Sequence, residues 1–174
     1  MSPAPFTGRT TGRGNPGFAE LPLLDRLMDA EPDQARDRPV TAGESLTRLQ
    51  QAVQRDVEAL LNARRPWRSV PADMAALRLS PLGYGLTDFT AGAFNERQQR
   101  EALRRDIEAT IQRFEPRLAA VQVSLLDDGN KLRTTLRLRI DAMLRVQPAP
   151  EPVVFDTAVD ITTADVTVHP SWVA

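Results

Sequence analysis

The stretch Arg113-Phe114-Glu115-Pro116-Arg117-Leu118-Ala119-Ala120-Val121-Gln122-Val123-Ser124-Leu125 decides the fold, because the spacing of apolar residues changes inside it. Before it, Leu103, Ile107, Ile111 and Phe114 recur on one face at helical spacing, opposite Arg100, Arg104, Arg105 and Glu108. That pattern predicts a helix over residues 96–114. Pro116 ends the helix, since it lacks an amide hydrogen and disfavours helical geometry in the residue before it. From Arg117 onward the period is two, with Val121, Val123 and Leu125 on one side, which predicts a strand.

Downstream, Asp127-Asp128-Gly129-Asn130 is rich in residues that accept positive φ and predicts a hairpin loop. The return strand alternates Leu132, Thr134, Leu136, Leu138, Ile140, Ala142, Leu144 and Val146 with Arg133, Thr135, Arg137, Arg139, Asp141 and Arg145, one face for a core and one polar. Pro148, Pro150 and Pro152 break that run; Val153, Phe155, Val159 and Ile161 suggest a third strand and Val166-Thr167-Val168 a fourth.

Upstream, Thr41 and Glu44 form a capping-box pair that opens a helix carrying Leu46, Leu49, Val53, Val57, Leu60 and Leu61 on one face and stopping near Asn62, before Arg65-Pro66. Residues 67–93 hold Pro71, Pro81, Gly83, Gly85 and Gly92 and are expected to be mainly irregular, with one helical turn over Pro71–Leu77. The expected architecture is α+β, with helices packed on one face of a small antiparallel sheet of three to four strands. The expected domains are a flexible Pro/Gly-rich tail over 1–19, a short docking helix and linker over 20–40, and a folded unit over 41–174.

Composition excludes several classes. With 22 basic and 23 acidic side chains, the net charge of -1 is not the strongly basic footprint of a phosphate-binding protein. There is no cysteine and a single histidine, His169, so neither thiolate sites nor a histidine cluster exist, and no metal or cofactor is expected. The longest apolar runs are far shorter than the ~20 residues needed to cross a bilayer, and the N-terminus has no apolar signal segment, so a cytosolic protein without membrane insertion is expected.

Candidate chemistry is sparse. Asp127 and Asp128 suit a turn, Asp88 suits loop hydrogen bonds after Tyr84-Gly85-Leu86-Thr87, and Ser45, Ser69, Ser80 and Ser124 lack a nucleophile-elbow context. Glu115 is the only acid at a helix-to-strand junction. Arg64, Arg65 and Arg68 around Trp67 either bind nucleic acid or answer the dipole of a helix C-terminus, and the dipole is the simpler reading. The arginines alternating along the return strand face either solvent or an acidic partner. At Glu115-Pro116-Arg117 two readings stand: an internal ion pair that tethers the helix end, or a carboxylate and a guanidinium turned outward for another subunit.

The ordered blocks Leu23-Leu24-Asp25-Arg26-Leu27, Val53 through Arg65, Tyr84-Gly85-Leu86-Thr87-Asp88 and Phe114-Glu115-Pro116-Arg117-Leu118 resemble TssE, the family of type VI secretion baseplate subunits, which is related to the GPW-family wedge proteins of contractile phage tails. The resemblance covers about residues 21–168 and departs at Thr87, where that family commonly has proline. It implies a non-enzymatic subunit of a cytoplasmic wedge with TssF, TssG and TssK, docked at the inner membrane complex and helping to start the TssB/TssC sheath. Glu115, Pro116 and Arg117 would then meet the core bundle formed by TssF and TssG, with Tyr84, Gly85 and Asp88 beside them. The resemblance also implies sheath-like strands, whose exposed edge is expected within Val153–Val168. Two other readings are a peptidoglycan hydrolase with Glu115 as its acid, and a nucleic-acid adaptor built on Arg64, Arg65, Arg68 and Trp67.

Overall fold

A computed structural model describes residues 19, 21–27, 41–65, 73–89, 96–126 and 135–171. Expectations that fall on residues 1–18, on 28–40, on Trp67 and Arg68, or on the hairpin loop 127–130 lie outside the described residues.

Helices α1 (Leu23–Leu27), α2 (Ala42–Asn62) and α3 (Arg97–Phe114) accompany strands β1 (Leu118–Leu126), β2 (Thr135–Leu144), β3 (Glu151–Asp160) and β4 (Val166–Pro170). The strands form one antiparallel sheet in the order β1-β2-β3-β4, so the fold is α+β. The capping box forms as its residues predict: the Glu44 N–H donates to Thr41 Oγ1 at 3.3 Å and the Thr41 N–H to Glu44 Oε2 at 2.9 Å.

The apolar stripes of α2 and α3 close on one sheet face. Leu49, Val53, Val57, Leu60 and Leu61 of α2 and Leu103, Ile107 and Ile111 of α3 are buried with Leu138, Ile140 and Leu144 of β2, Phe155 and Val159 of β3, and Val166 and Val168 of β4. Each fully buried aliphatic side chain contributes ~1.5–3 kcal/mol relative to exposure. β1 departs from strict alternation, because both Leu118 and Val121 are buried although three residues apart. A register shift between Ala119 and Gln122, with Ala120 at φ 49°, absorbs the extra residue.

The β4 edge of the sheet is closed by helix side chains, which corrects the expectation of an exposed edge within Val153–Val168, and the β1 edge is closed along Val121 and Val123. β3 is paired on both sides. β4 lies along α2, where Gln54 Nε2 donates to the Val168 carbonyl (2.8 Å) and the Val168 N–H donates to Glu58 Oε2 (2.9 Å). Asn62 completes that edge, giving Nδ2 to the Val166 carbonyl (2.7 Å) and accepting the Val166 N–H on Oδ1 (2.9 Å). β1 lies along α3 in the same way: Gln112 Nε2 donates to the Val121 carbonyl (3.1 Å), the Val123 N–H to Glu108 Oε2 (3.0 Å), and Arg104 Nη1 to the Val123 carbonyl (3.0 Å). The match is geometric, since four helical residues rise ~6 Å and two strand residues span ~6.8 Å. Arg104 and Glu108 are therefore half-buried edge ligands rather than members of a solvated face.

The loop after α2 is stitched back to it. The Leu86 N–H donates to the Ala63 carbonyl (3.0 Å) and the Arg65 N–H to the Leu86 carbonyl (2.8 Å). Gly85 makes this approach possible: its φ is +93°, and a Cβ there would lie 2.3 Å from the Ala63 oxygen. Two 3₁₀ turns, Ala75–Leu79 and Pro81–Gly83, precede it, so the helical turn falls later than expected.

Candidate partner-docking site

Glu115 is the C-cap of α3, where the helix dipole disfavours a negative charge, and it is buried at 4 % exposure. Its compensation is local. Arg117 donates Nε to Glu115 Oε1 at 2.6 Å and Nη2 to Glu115 Oε2, and the Arg117 N–H also reaches Oε1 at 3.2 Å. The internal pair is thus the reading that the structure realises. Pro116, exposed between them, sets the turn that lets residue 117 fold back on residue 115.

The pair is not isolated. Arg117 Nη2 also bonds Asp56 Oδ2 of α2 at 2.7 Å. Asp56 Oδ1 accepts from Arg55, at 3.2 Å from Nε and 3.1 Å from Nη2. Arg55 in turn grips Asp25 of α1 with both amino groups, at 2.9 and 3.1 Å. Alternating charges therefore run from Asp25 through Arg55, Asp56 and Arg117 to Glu115, tying α1, α2 and the α3–β1 junction together. The bond from Arg55 holds Asp25 below the ordinary carboxylate range, and the bonds from Glu115 and then Asp56 hold the Arg117 proton more firmly than usual.

Tyr84 borders this chain. Its ring meets Phe114 edge-on, with centroids 5.4 Å apart and planes at 72°. Burial first, then the charges of Asp56 and Glu115, push its phenol above the ordinary value. Tyr84 keeps 38 % exposure and follows the exposed Leu79 and Leu82 of the 3₁₀ turns.

Of the six residues singled out, Glu115, Arg117 and Tyr84 are brought to one place with Pro116 at its rim. Gly85 is buried against Ala63 and acts through backbone shape, so it offers no contact of its own. Asp88 is exposed farther along the loop, past Thr87, whose Oγ1 donates to Asp106 at 3.0 Å. Sequence reasoning missed Asp25, Arg55 and Asp56. The only signal was a pair of adjacent opposite charges on the border of the α2 stripe.

Arg117 keeps a surface. Its side chain is 27 % exposed, and Nη1 has no hydrogen-bond partner among the described residues. Two of the three arginines around Trp67 are described, and both are engaged: Arg64 donates to the carbonyls of Leu61 (3.1 Å) and Ala164 and lies 5.4 Å from the Phe89 ring centre, and Arg65 bonds both oxygens of Asp106 at 2.7 Å. Arg64 on the Leu61 carbonyl fits the helix C-terminus reading. No cluster able to hold a metal ion occurs among the described residues, and no described helix is long and apolar enough to cross a membrane.

Residues 47–149, more than half of the chain, match the model of the family described as baseplate wedge protein gp25. The match spans both arms of the cluster, Asp56 on α2 and Glu115 to Arg117, and stops short of β3 and β4. No curated protein and no solved structure matches the chain.

Proposed function

We propose, from the premise that this chain belongs to the baseplate wedge protein gp25 family and so has a structural baseplate role, that it is the TssE-type subunit of a type VI secretion system. In this reading it joins the wedge of TssF, TssG and TssK to the TssB/TssC sheath and helps the sheath start, at the cytoplasmic side of the inner membrane complex. The Glu115–Arg117 cluster docks on the core bundle of TssF and TssG. The observation that carries the docking role is the guanidinium of Arg117: three bonds to Glu115 and Asp56 fix its plane while Nη1 and part of its surface stay available. A pre-oriented guanidinium loses little freedom on binding a carboxylate or a helix-end carbonyl. Tyr84 beside it supplies the aromatic anchor that such interfaces favour.

The hydrolase reading finds no support in this geometry, because Glu115 is buried with both oxygens bonded to Arg117 and cannot present a proton to a glycosidic oxygen. The nucleic-acid reading loses Arg64 and Arg65 to internal partners. The docking role is tested by co-purification with TssF and TssG. Arg117→Ala, with its fold checked by circular dichroism, is expected to lose most of the partner, and Arg117→Lys to recover little because a point charge does not reproduce the fork. Undiminished capture by folded Arg117→Ala protein would remove Arg117 from the interface.

A further inference from the structure

We propose that the two 3₁₀ turns within residues 74–84 form a rigid apolar knob that docks an amphipathic helix with acidic borders, contributed by a partner chain. The inference rests on the reading of this chain as an assembly subunit, but on different residues from the Glu115–Arg117 pair. It starts from exposure. Among the described residues seven large apolar side chains are exposed, and four of them, Met74 (49 %), Leu79 (69 %), Leu82 (52 %) and Tyr84, fall in this one segment. Single exposed apolar residues are ordinary on a protein surface, whereas a gathered set marks a place where another surface sits.

The knob holds its own shape. The Leu77 N–H donates to the Met74 carbonyl (3.0 Å), the Ser80 N–H to the Leu77 carbonyl (3.2 Å), the Gly83 N–H to the Ser80 carbonyl (2.9 Å) and the Tyr84 N–H to the Pro81 carbonyl (3.2 Å). Ser80 Oγ donates to the Leu77 carbonyl at 2.7 Å and accepts the Leu82 N–H at 3.3 Å. Gly83 closes the segment on itself, since a Cβ there would lie 2.2 Å from the Arg78 oxygen. Side chains carried on so constrained a backbone lose little freedom when a partner covers them.

The same bonds select the occupant. With these amides paired inside the knob, no row of free N–H groups faces a partner, so the partner segment has to satisfy its own backbone, as a helix does. Its apolar stripe covers Leu79 and Leu82. Charge sets its borders. Arg78 is exposed between the leucines, and its guanidinium has no hydrogen bond or ion pair among the described residues; Asp73, the one acid of the segment, forms no ion pair with it. The surface continues through Tyr84, edge-on to Phe114, towards Arg117 with its unbonded Nη1. Acidic side chains flanking the stripe are therefore drawn in and basic ones repelled.

The test uses the full chain and synthetic helical peptides that carry a leucine stripe bordered by glutamate or by glutamine, with an alanine-striped peptide as control. Fluorescence anisotropy is expected to give saturable binding of the glutamate peptide, about threefold tighter than the glutamine peptide, and none of the alanine peptide. Leu79→Ser combined with Leu82→Ser, its fold checked by circular dichroism, should weaken binding about a hundredfold. Arg78→Gln should remove most of the preference for glutamate. Equal binding by the double variant and the unaltered chain, equal binding of the glutamate and glutamine peptides, unchanged preference in Arg78→Gln, or leucine-dependent self-association in place of peptide binding would each overturn the proposal. The two readings fail separately: Arg117→Ala protein should still bind the glutamate peptide, and absence of peptide binding would leave the loss of TssF and TssG in Arg117→Ala protein standing.

Discussion

The two edges of the sheet are closed by the same device made from different chemistry. On the α2 side, Gln54, Glu58 and Asn62 answer every outward group of Val166 and Val168, two of the three residues being uncharged amides. On the α3 side, the middle rungs are an ion pair, Arg104 to Glu108 at 2.8 Å, with Glu101 as a second anion at 2.9 Å. Three of the four bonds on the β4 edge join an amide to a backbone group and have little sensitivity to the medium, with Glu58 supplying the fourth. A charged closure answers to salt, and among the described residues this ladder stops at Val123. One fold thereby closes one edge mainly with amide dipoles and the other mainly with charge.

The largest effect should come from breaking the β4 closure. Glu58→Ala combined with Asn62→Ala removes the acceptors of two buried N–H groups and one carbonyl partner, and is expected to lower the unfolding free energy by about 2–4 kcal/mol. Urea denaturation measures the loss, and sedimentation should reveal self-association through the bared β4 edge. A change within error of zero would mean that the ladder is incidental to stability.

Next in size is the charged closure. Glu108→Gln keeps an oxygen for the Val123 N–H but loses the ion pair, which on a partly exposed helix surface is worth ~0.3–1 kcal/mol. The sharper measurement is salt: raising ionic strength should speed amide exchange at Val123, held by Glu108, and leave Val166, held by the Asn62 amide oxygen, unchanged. Equal responses at the two amides would erase the contrast between the edges.

The charge chain offers a third way to separate the regions, because α1 hangs on the α2 side through Asp25. The folded pKa of Asp25 is depressed by Arg55, so its contribution is present above the ordinary carboxylate value and is lost as pH falls below that value towards the lowered one. Amide exchange in Leu23–Leu27 should rise over that acid window while the β1 edge is unaffected. Asp25→Asn should show fast exchange in α1 at neutral pH and no acid step.

Much of this molecule was legible in the sequence because period and capping are local signals. Thr41 and Glu44 announced α2, and the change of period at Pro116 separated α3 from β1. The bulge at Ala120 was not, though Leu118 and Val121 at odd spacing carried the hint. The edge ladders were missed because Gln54, Glu58 and Asn62, like Arg104, Glu108 and Gln112, look like a solvated stripe until a strand lies beside them. Their common spacing of four, along the border of an apolar face, was the available signal. The site was half legible: Glu115 and Arg117 stood out by local chemistry, whereas Asp56 joins them only through tertiary packing across 61 residues.

The smallest effect is also the cleanest to read. Tyr84 is the chain's only tyrosine, so phenolate absorbance reports it alone. Its pKa is raised by burial and by the carboxylates of Asp56 and Glu115, which penalise a second negative charge. The raised value means that Tyr84 contributes stability that is fully present below its unfolded pKa and lost as pH rises through the folded one, well above neutrality. Asp56→Asn should lower the midpoint by removing one anion while leaving burial in place, and substitutions at the β4 or β1 edge should leave it alone. If Asp56→Asn leaves the midpoint unmoved, burial and Glu115 set it without Asp56, and Tyr84 would not sense the charge on the α2 arm of the cluster.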